Sequence, residues 1–392
     1  MRVSRYRQSL ADNPRPFGSP LYAGQSVEMP ILSRNGEPAQ RRSRPYLHII
    51  VLMLSTLHAV LGRNAARPRE KILSILKKLA LAAGIATALS SAAMAADMTV
   101  GFSQIGSESG WRAAETSVTK QQAESRGINL KFADAQQKQE NQIKAIRGFI
   151  AQGVDAILVA PVVATGWEDV LSEAKEAKIP VILLDRGIDG PEDLYLTSVA
   201  SDQVKEGKVA GDWLVGTVKD KDCRVVELQG TVGSTPAINR KKGFEEAIAG
   251  HSNISIVRSQ TGDFTRSKGK EVMEGFLKAE NGGKNICAVY AHNDDMAVGA
   301  IQAIKDAGLK PGTDILVVSI DGVPDLFSAM AAGEANATVE LTPNMAGPAF
   351  DALAAYKKDG TMPPKFIITE SKLYTPADDP KGEAERRKSL GY

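Results

Sequence analysis

From Met98 onward the sequence alternates short, almost continuously apolar runs with amphipathic stretches of about a dozen residues. Met98 to Gln104, Ile128 to Phe132, Ala156 to Val159 and Val181 to Leu184 read as strands, and helical patterns fill 110–126, 139–152 and 167–178. Strands apolar on both faces belong in a parallel sheet covered by helices on each side, because a half-exposed strand would alternate polar and apolar residues. The pattern then restarts. Strands at Arg224 to Leu228, Ile254 to Ser259, Ala288 to Tyr290, Ile315 to Ile320 and Ala337 to Leu341 interleave with helical patterns over 203–218, 237–249, 268–279, 296–307 and 325–332. The expected fold class is α/β, with two doubly wound parallel-sheet lobes in succession. No Ser-, Pro- or Gly-rich tether separates them, so the join near Ala200 to Asp202 is expected to be a short hinge.

What precedes Met98 is different in kind. The first 95 residues hold fourteen of the 48 basic side chains but only Asp12, Glu28, Glu37 and Glu70 of the 46 acidic ones, which leaves about −8 on the chain from Ala96 onward. Phosphate binding needs a basic footprint, so this balance argues against a nucleic-acid partner. Arg67, Arg69, Lys71, Lys77 and Lys78 precede an apolar run, Leu79 to Leu89, and then Ser90-Ser91-Ala92-Ala93-Met94-Ala95. That is the order of a secretory signal peptide spanning 67–95, with cleavage expected near Ala95. The apolar run is shorter than the roughly 20 residues a spanning helix needs. Residues 1–66, rich in Arg, Pro and Ser, are expected to be an unstructured upstream extension read from too early a start codon.

In open parallel sheets, ligands bind beyond the carboxyl ends of the strands. Here those positions are polar: Glu108, Ser109, Gly110, Trp111 and Arg112 follow the first strand, and Asp185 and Arg186 follow Leu184. In the second unit the strand ends give Gln229, Asn293, Asp294 and Asp321, while Asn239 and Arg240 lie on the helix after Leu228. Such side chains suit a sugar. Each hydroxyl donates one hydrogen bond and accepts up to two, Arg forks satisfy neighbouring oxygens, carboxylates accept, and an indole covers the C–H side of a ring. Plainer roles compete: Asp294 or Asp295 as helix caps, Asp185-Arg186 as a surface ion pair, Trp167 in packing rather than in a cleft, and Trp213 in a core. Gln229-Gly230-Thr231-Val232-Gly233 lacks the Gly-Lys-Ser/Thr ending of a phosphate loop. Beyond Ala95 the histidines are His251 and His292, with no Gly-x-Ser-x-Gly, His-Glu-x-x-His or calcium-loop pattern. No catalysis, metal or cofactor is expected, with His292 beside Asn293 the one candidate for proton transfer.

The order and spacing of several segments carry a resemblance. They include Val100-Gly101-Phe102-Ser103-Gln104, Gly106-Ser107-Glu108-Ser109-Gly110-Trp111-Arg112, Leu183-Leu184-Asp185-Arg186, Asp263-Phe264-Thr265-Arg266, Ala291-His292-Asn293-Asp294-Asp295 and Ser319-Ile320-Asp321-Gly322. From Thr99 to Leu373 the chain resembles the periplasmic sugar-binding proteins of the ribose/galactose type that serve ABC transporters, and within them the galactofuranose binders. The resemblance implies a type I periplasmic binding protein: two lobes, 97–200 plus 342–362 and 201–341 plus 363–392, joined by a three-segment hinge and closing on one sugar. The crossings are expected near Ala200 to Ser201, Glu340 to Thr342 and Gly360 to Lys365. It also implies ligand contacts from Glu108, Ser109, Gly110, Trp111, Arg112, Asp185, Arg186, Arg240, Asn293 and Asp321, with Asp185 and Asp321 accepting from hydroxyls. The partners implied are a monosaccharide, galactofuranose, and a membrane permease, the protein acting as a monomer. Ribose binders of this family place a Gln at the second crossing where this chain has Glu340-Leu341-Thr342, which counts against ribose. A LacI-type effector pair shares the fold but needs an amino-terminal helix-turn-helix; delivery to a chemoreceptor is a further alternative. Cys223 and Cys287 each precede a strand of the second unit, so a disulfide forms if those strands are neighbours, and two buried thiols remain if they are not.

Overall fold

The computed structural model describes residues 98–392; the expected extension 1–66 and signal peptide 67–95 lie outside the described residues. The first sheet comprises β1 (Thr99–Gln104), β2 (Asn129–Asp134), β3 (Ala156–Val159), β4 (Val181–Leu184), β5 (Thr197–Ser201) and β11 (Phe366–Thr369), in the order β11-β5-β4-β3-β1-β2. Its pairings are all parallel. The helices α1 (Gly110–Ser125), α2 (Gln139–Ala151), α3 (Glu168–Glu176) and α9 (Ala346–Asp359) belong to this lobe. The second sheet repeats the plan with β6 (Cys223–Gln229), β7 (Ile254–Thr261), β8 (Ala288–Ala291), β9 (Leu316–Asp321), β10 (Ala337–Glu340) and β12 (Leu373–Tyr374), ordered β12-β10-β9-β8-β6-β7. Only β12 in it runs antiparallel to its neighbour. Its helices are α4 (Gln203–Val218), α5 (Thr235–Ile248), α6 (Arg266–Ala279), α7 (Asp294–Asp306), α8 (Pro324–Ala331) and α10 (Pro380–Ser389).

The apolar runs explain the layers. β4 is Val-Ile-Leu-Leu with every residue buried: Val181 and Leu183 share a cluster with Ile146, Phe149, Trp167 and Leu171, whereas Ile182 and Leu184 join the one holding Val199, Phe350 and Leu353. Alternate residues of one strand thus serve opposite faces, which only a sheet covered on both sides requires. In both sheets the strand order reverses beside the first strand, at β1/β3 and at β6/β8, which opens a crevice at the carboxyl ends of the strands. Two glycines set the spacing of α4 and α5. A Cβ at Gly207 would meet the Arg240 carbonyl at 2.1 Å and one at Gly243 the Val204 carbonyl at 1.9 Å, so only glycine lets these helices approach closely enough to bring Glu206 against Arg240.

The chain leaves the first sheet after β5, returns after β10 into α9, which packs on α1, β4 and β5, and leaves again after β11. This corrects one expectation. The third crossing lies at 370–372, not at 360–365, because Phe366–Thr369 pairs in parallel with Ser198–Ser201 and so completes the first lobe before the chain crosses. β5 and β11 escape the apolar-run criterion: Thr197-Ser198-Val199-Ala200-Ser201 is mostly polar, and Phe366 and Ile368 on the edge strand are exposed.

β6 and β8 are hydrogen-bonded neighbours, and Cys223 and Cys287, at their amino ends, form a disulfide with the Cα atoms 5.0 Å apart. The bridge spans 64 residues of sequence, for which loop-closure entropy alone gives about 4 kcal/mol. Replacing both cysteines with alanine is therefore expected to lower the unfolding free energy by about 3–4 kcal/mol in urea titrations. An unchanged midpoint, or two reactive thiols in the denatured wild type, would show that the bridge does not form.

Candidate functional site

A small cavity lies where the strand ends of the two sheets face each other. Glu108, Ser109, Trp111, Arg112, Asp185 and Arg186 line it from the first lobe, Arg240, Asn293 and Asp321 from the second. Of the ten ligand contacts that the resemblance implies, all but Gly110 therefore line it. Pro236, Phe264 and Leu341 complete the wall.

Charge compensation dictates the geometry. The Arg112 guanidinium, 3% exposed, donates from Nε to Glu108 Oε1 (3.2 Å), from Nη1 to Glu115 and from Nη2 to Asp185 Oδ2 (2.5 Å). Burial works against its charge, but Glu115, Asp185 and Glu108 outweigh it and hold its pKa well above the ordinary value. Its fork is thus largely spent on protein, and α1, which carries both Arg112 and Glu115, starts at Ser109, whose Oγ caps it by accepting from the Arg112 N–H. Arg240 donates from Nε to Glu206 Oε2 (2.9 Å) and from Nη1 to the His292 carbonyl (2.7 Å), with Asp321 at 3.5 Å. Its pKa is raised against burial by Glu206 and Asp321.

Arg186 is the least compensated. Its Nη1 donates to the Val162 carbonyl (2.9 Å), but Asp185 and Glu108 stand at 3.7 and 3.8 Å, and burial together with Arg112 lowers its pKa to about 10. The Phe264 ring sits 5.1 Å from its guanidinium. Among the described residues, three buried atoms of cavity-lining side chains have no hydrogen-bond partner: Glu108 Oε2, Arg186 Nε and Arg240 Nη2. Leaving such groups unmade is costly, so they mark where a ligand's polar groups belong.

The neighbouring candidates take definite roles. Trp111 donates its indole N–H to the Leu341 carbonyl (2.7 Å) at the second crossing, which ties the first lobe's wall to the hinge. Asn293 caps α7 by accepting from the Met296 N–H (3.0 Å) and donates to the Phe264 carbonyl (3.1 Å), leaving one amide hydrogen for the cavity. Asp294 is no cap: it accepts from Ser319 Oγ, Thr338 Oγ1 and the Val323 N–H. Asp295 accepts from the Gly110 N–H (2.7 Å) across the lobes, which is where Gly110 acts instead of in the cavity wall. The His292 ring is buried against Glu227 (3.2 Å), with Nδ1 facing the Gly230 N–H (3.4 Å), so Nε2 carries the hydrogen and donates to Glu227. Burial lowers its pKa, and its ring does not line the cavity, which takes away the proton-transfer candidate. Trp167 packs in the first lobe, Trp213 is half-buried on the second lobe's core, Gln229 bonds Glu227, and Asn239 bonds Gln203. Glu340 pairs with Arg387 (2.8 Å), so the second crossing offers the cavity Leu341 and no amide. Phe264, like Pro236 and Leu341, is a wall residue that sequence reasoning passed over. It follows the end of β7 and therefore satisfies the strand-end rule, but a lone Phe has no sequence spacing to single it out.

Residues 100–361 match the family model described as periplasmic binding protein domain. The galactofuranose-binding protein YtfQ of Escherichia coli (strain K12) is 68% identical over 317 residues, covering 81% of this chain and 99% of that protein. Among solved structures, the crystal structure of a galactofuranose binding protein matches with a TM-score of 0.75 at 70% identity, covering 76% of this chain and 100% of the other. The binding protein of an arabinose ABC transporter from Shewanella sp. ANA-3, bound to α- and β-L-arabinofuranose, matches with a TM-score of 0.72 at 60% identity, over 74% and 96%.

Asp294 gives the site's surroundings a pH signature. Burial, the largest influence, pushes its carboxyl up to about 7 against the hydrogen bonds that favour the anion. The native state then keeps a proton that the unfolded chain, with aspartate near about 3.9, has released. The stability contribution is complete below that unfolded value and is lost as pH rises through about 7. Asp294→Asn removes this titration, so its melting temperature should gain on the wild type between about pH 5 and about pH 8. Parallel curves would mean that Asp294 is ionised in the native state throughout.

Proposed function

The chain belongs to the periplasmic binding protein family, and on that footing we propose that it captures one monosaccharide, galactofuranose, in the cavity between its sheets and presents it to the permease of an ABC transporter. The observation that carries this reading is the trio of unpartnered buried atoms, Glu108 Oε2, Arg186 Nε and Arg240 Nη2, contributed by both lobes to one small cavity. One acceptor and two donors suit vicinal hydroxyls, each of which can donate and accept. Five carboxyl groups, Glu108, Glu115, Asp185, Glu206 and Asp321, stand against three arginines. Such a site has no surplus of positive charge and favours a neutral polyol over an anion. Trp111 from one lobe and Phe264 from the other supply apolar faces for the C–H sides of the ring.

A sugar held by Arg186 and Arg240 together stabilises the closed form because only that form brings both lobes to it; a ligand gripped by one lobe would shift nothing. The relatives named above support a furanose, one being a galactofuranose binder and another being bound to arabinofuranose. The signal-peptide pattern over 67–95 supports export to the periplasm with cleavage near Ala95, where the mature chain acts as a monomer.

Arg240→Ala or Asp321→Ala should each weaken binding by at least about 2 kcal/mol, because buried charge-assisted hydrogen bonds are left half made. Calorimetry giving near wild-type affinity for either variant would remove that residue from the site. In a thermal-shift panel of galactofuranosides, pentoses and locked galactopyranosides, the furanosides should raise the melting temperature most. Equal shifts with the pyranosides would overturn the furanose assignment.

A further inference from the structure

The lobes also touch each other directly, at places the cavity does not reach. On one rim Asp295 Oδ2 accepts from the Gly110 N–H at 2.7 Å; elsewhere the Ala164 N–H donates to the Gly233 carbonyl (2.9 Å) and the Gly187 N–H to Thr235 Oγ1 (3.0 Å). Asp295 is the charged member of this set and is 4% exposed. Its other oxygen accepts from Arg266 Nη2 (2.9 Å) and Nε (3.2 Å), and Arg266 is braced in turn by Asp325 (2.8 Å). These three side chains sit on α6, α7 and α8, so the second lobe aims the carboxylate before the lobes meet. Across the gap, Gly110 is the first residue of α1. Its N–H has no partner within the helix, and the positive end of the helix dipole favours an anion there.

We infer that Asp295 is a latch for the closed form: it sets the affinity for every sugar the cavity accepts without choosing among them. The inference rests on the sugar-binding reading above and adds a residue outside the cavity to what determines affinity. A contact made only when the lobes close adds its free energy to closure whatever the ligand, whereas a cavity residue discriminates between ligands.

The donor can be deleted with proline, whose Cδ also occupies the place of the hydrogen that faces Asp295 Oδ2, so Asp295→Ala is the variant that adds no new contact. Proline is favoured at the first position of a helix, where its missing N–H costs no helical bond, and Ser109 before it is already extended (φ −140°, ψ 160°), as a residue preceding proline must be. Calorimetry on wild type, Gly110→Pro, Asp295→Ala and the double variant, each with a galactofuranoside and with L-arabinose, forms a double-mutant cycle. Each single variant should raise Kd about tenfold for both sugars by the same factor, with the double variant no weaker than either, as one shared charge-assisted hydrogen bond requires. Additive losses, unchanged affinities or a changed ratio between the two sugars would overturn the latch. Should Gly110→Pro lower the melting temperature of the sugar-free protein, Asp295→Ala alone decides by the same test of equal loss for both sugars. A wild type that binds neither sugar would instead defeat the functional reading on which the latch rests.

Discussion

Three guanidinium groups kept out of water are the constraint around which the cleft is arranged. Arg112, Arg186 and Arg240 are each no more than 3% exposed, and a buried charge without partners costs several kcal/mol. The chain meets this unevenly. Arg112 is enclosed by Glu108, Glu115 and Asp185, and Arg240 by Glu206 and Asp321, whereas Arg186 has one backbone carbonyl and two carboxylates beyond hydrogen-bond reach. The first arginine therefore behaves as a strut holding the first lobe's loops in place. Arg186 is the group whose situation a polyol improves most, since its Nε is unpartnered and Phe264 already covers part of its surface.

Both lobes deliver their carboxylates by the same backbone device. Asp185 directly follows β4 and Asp321 ends β9, and both have positive φ, 63° and 124°. Non-glycine residues in such conformations are strained and persist where the surrounding structure over-determines them, which is common at ligand sites. Here the turn sets the side chain against the cleft instead of on a face of the sheet. At the opposite end of the second sheet, the disulfide joins the amino ends of β6 and β8. The same two strands that present the cleft at one end are thus tied at the other, and the lobe can move as a unit when the hinge turns.

How much of this was legible depended on which physical signal each residue leaves in the sequence. β1, β3 and β4 are readable because strands buried on both faces must be apolar throughout. β5 and β11 are not, because an edge strand and its neighbour tolerate Ser, Thr and exposed Phe, and without β11 the sequence places the third crossing several residues too early. The cleft residues were readable from one rule, that ligands gather at strand carboxyl ends. That rule locates a residue without saying what it touches. It could not show that Arg112 spends its fork on three carboxylates, that Asn293 splits itself between a cap and the cavity, or that the Gly110 N–H reaches Asp295, 185 residues further along the chain. Such pairings depend on the closed arrangement of two lobes, which no local pattern encodes.

That closed arrangement must also be held within limits. Lobe-to-lobe contacts favour closure whether or not a sugar is present, so contacts strong enough to close the empty protein would present the permease with an unloaded receptor. A single charged hydrogen bond from Asp295, supplemented by the neutral ones at Gly233 and Thr235, is a modest bias of this kind. Each tenfold in affinity corresponds to about 1.4 kcal/mol, so the bias is large enough to tighten sugar binding measurably. It remains smaller than the free energy that three unpartnered buried groups gain when hydroxyls reach them. The balance leaves the decision to close with the sugar, and leaves the rim to set how much sugar is needed.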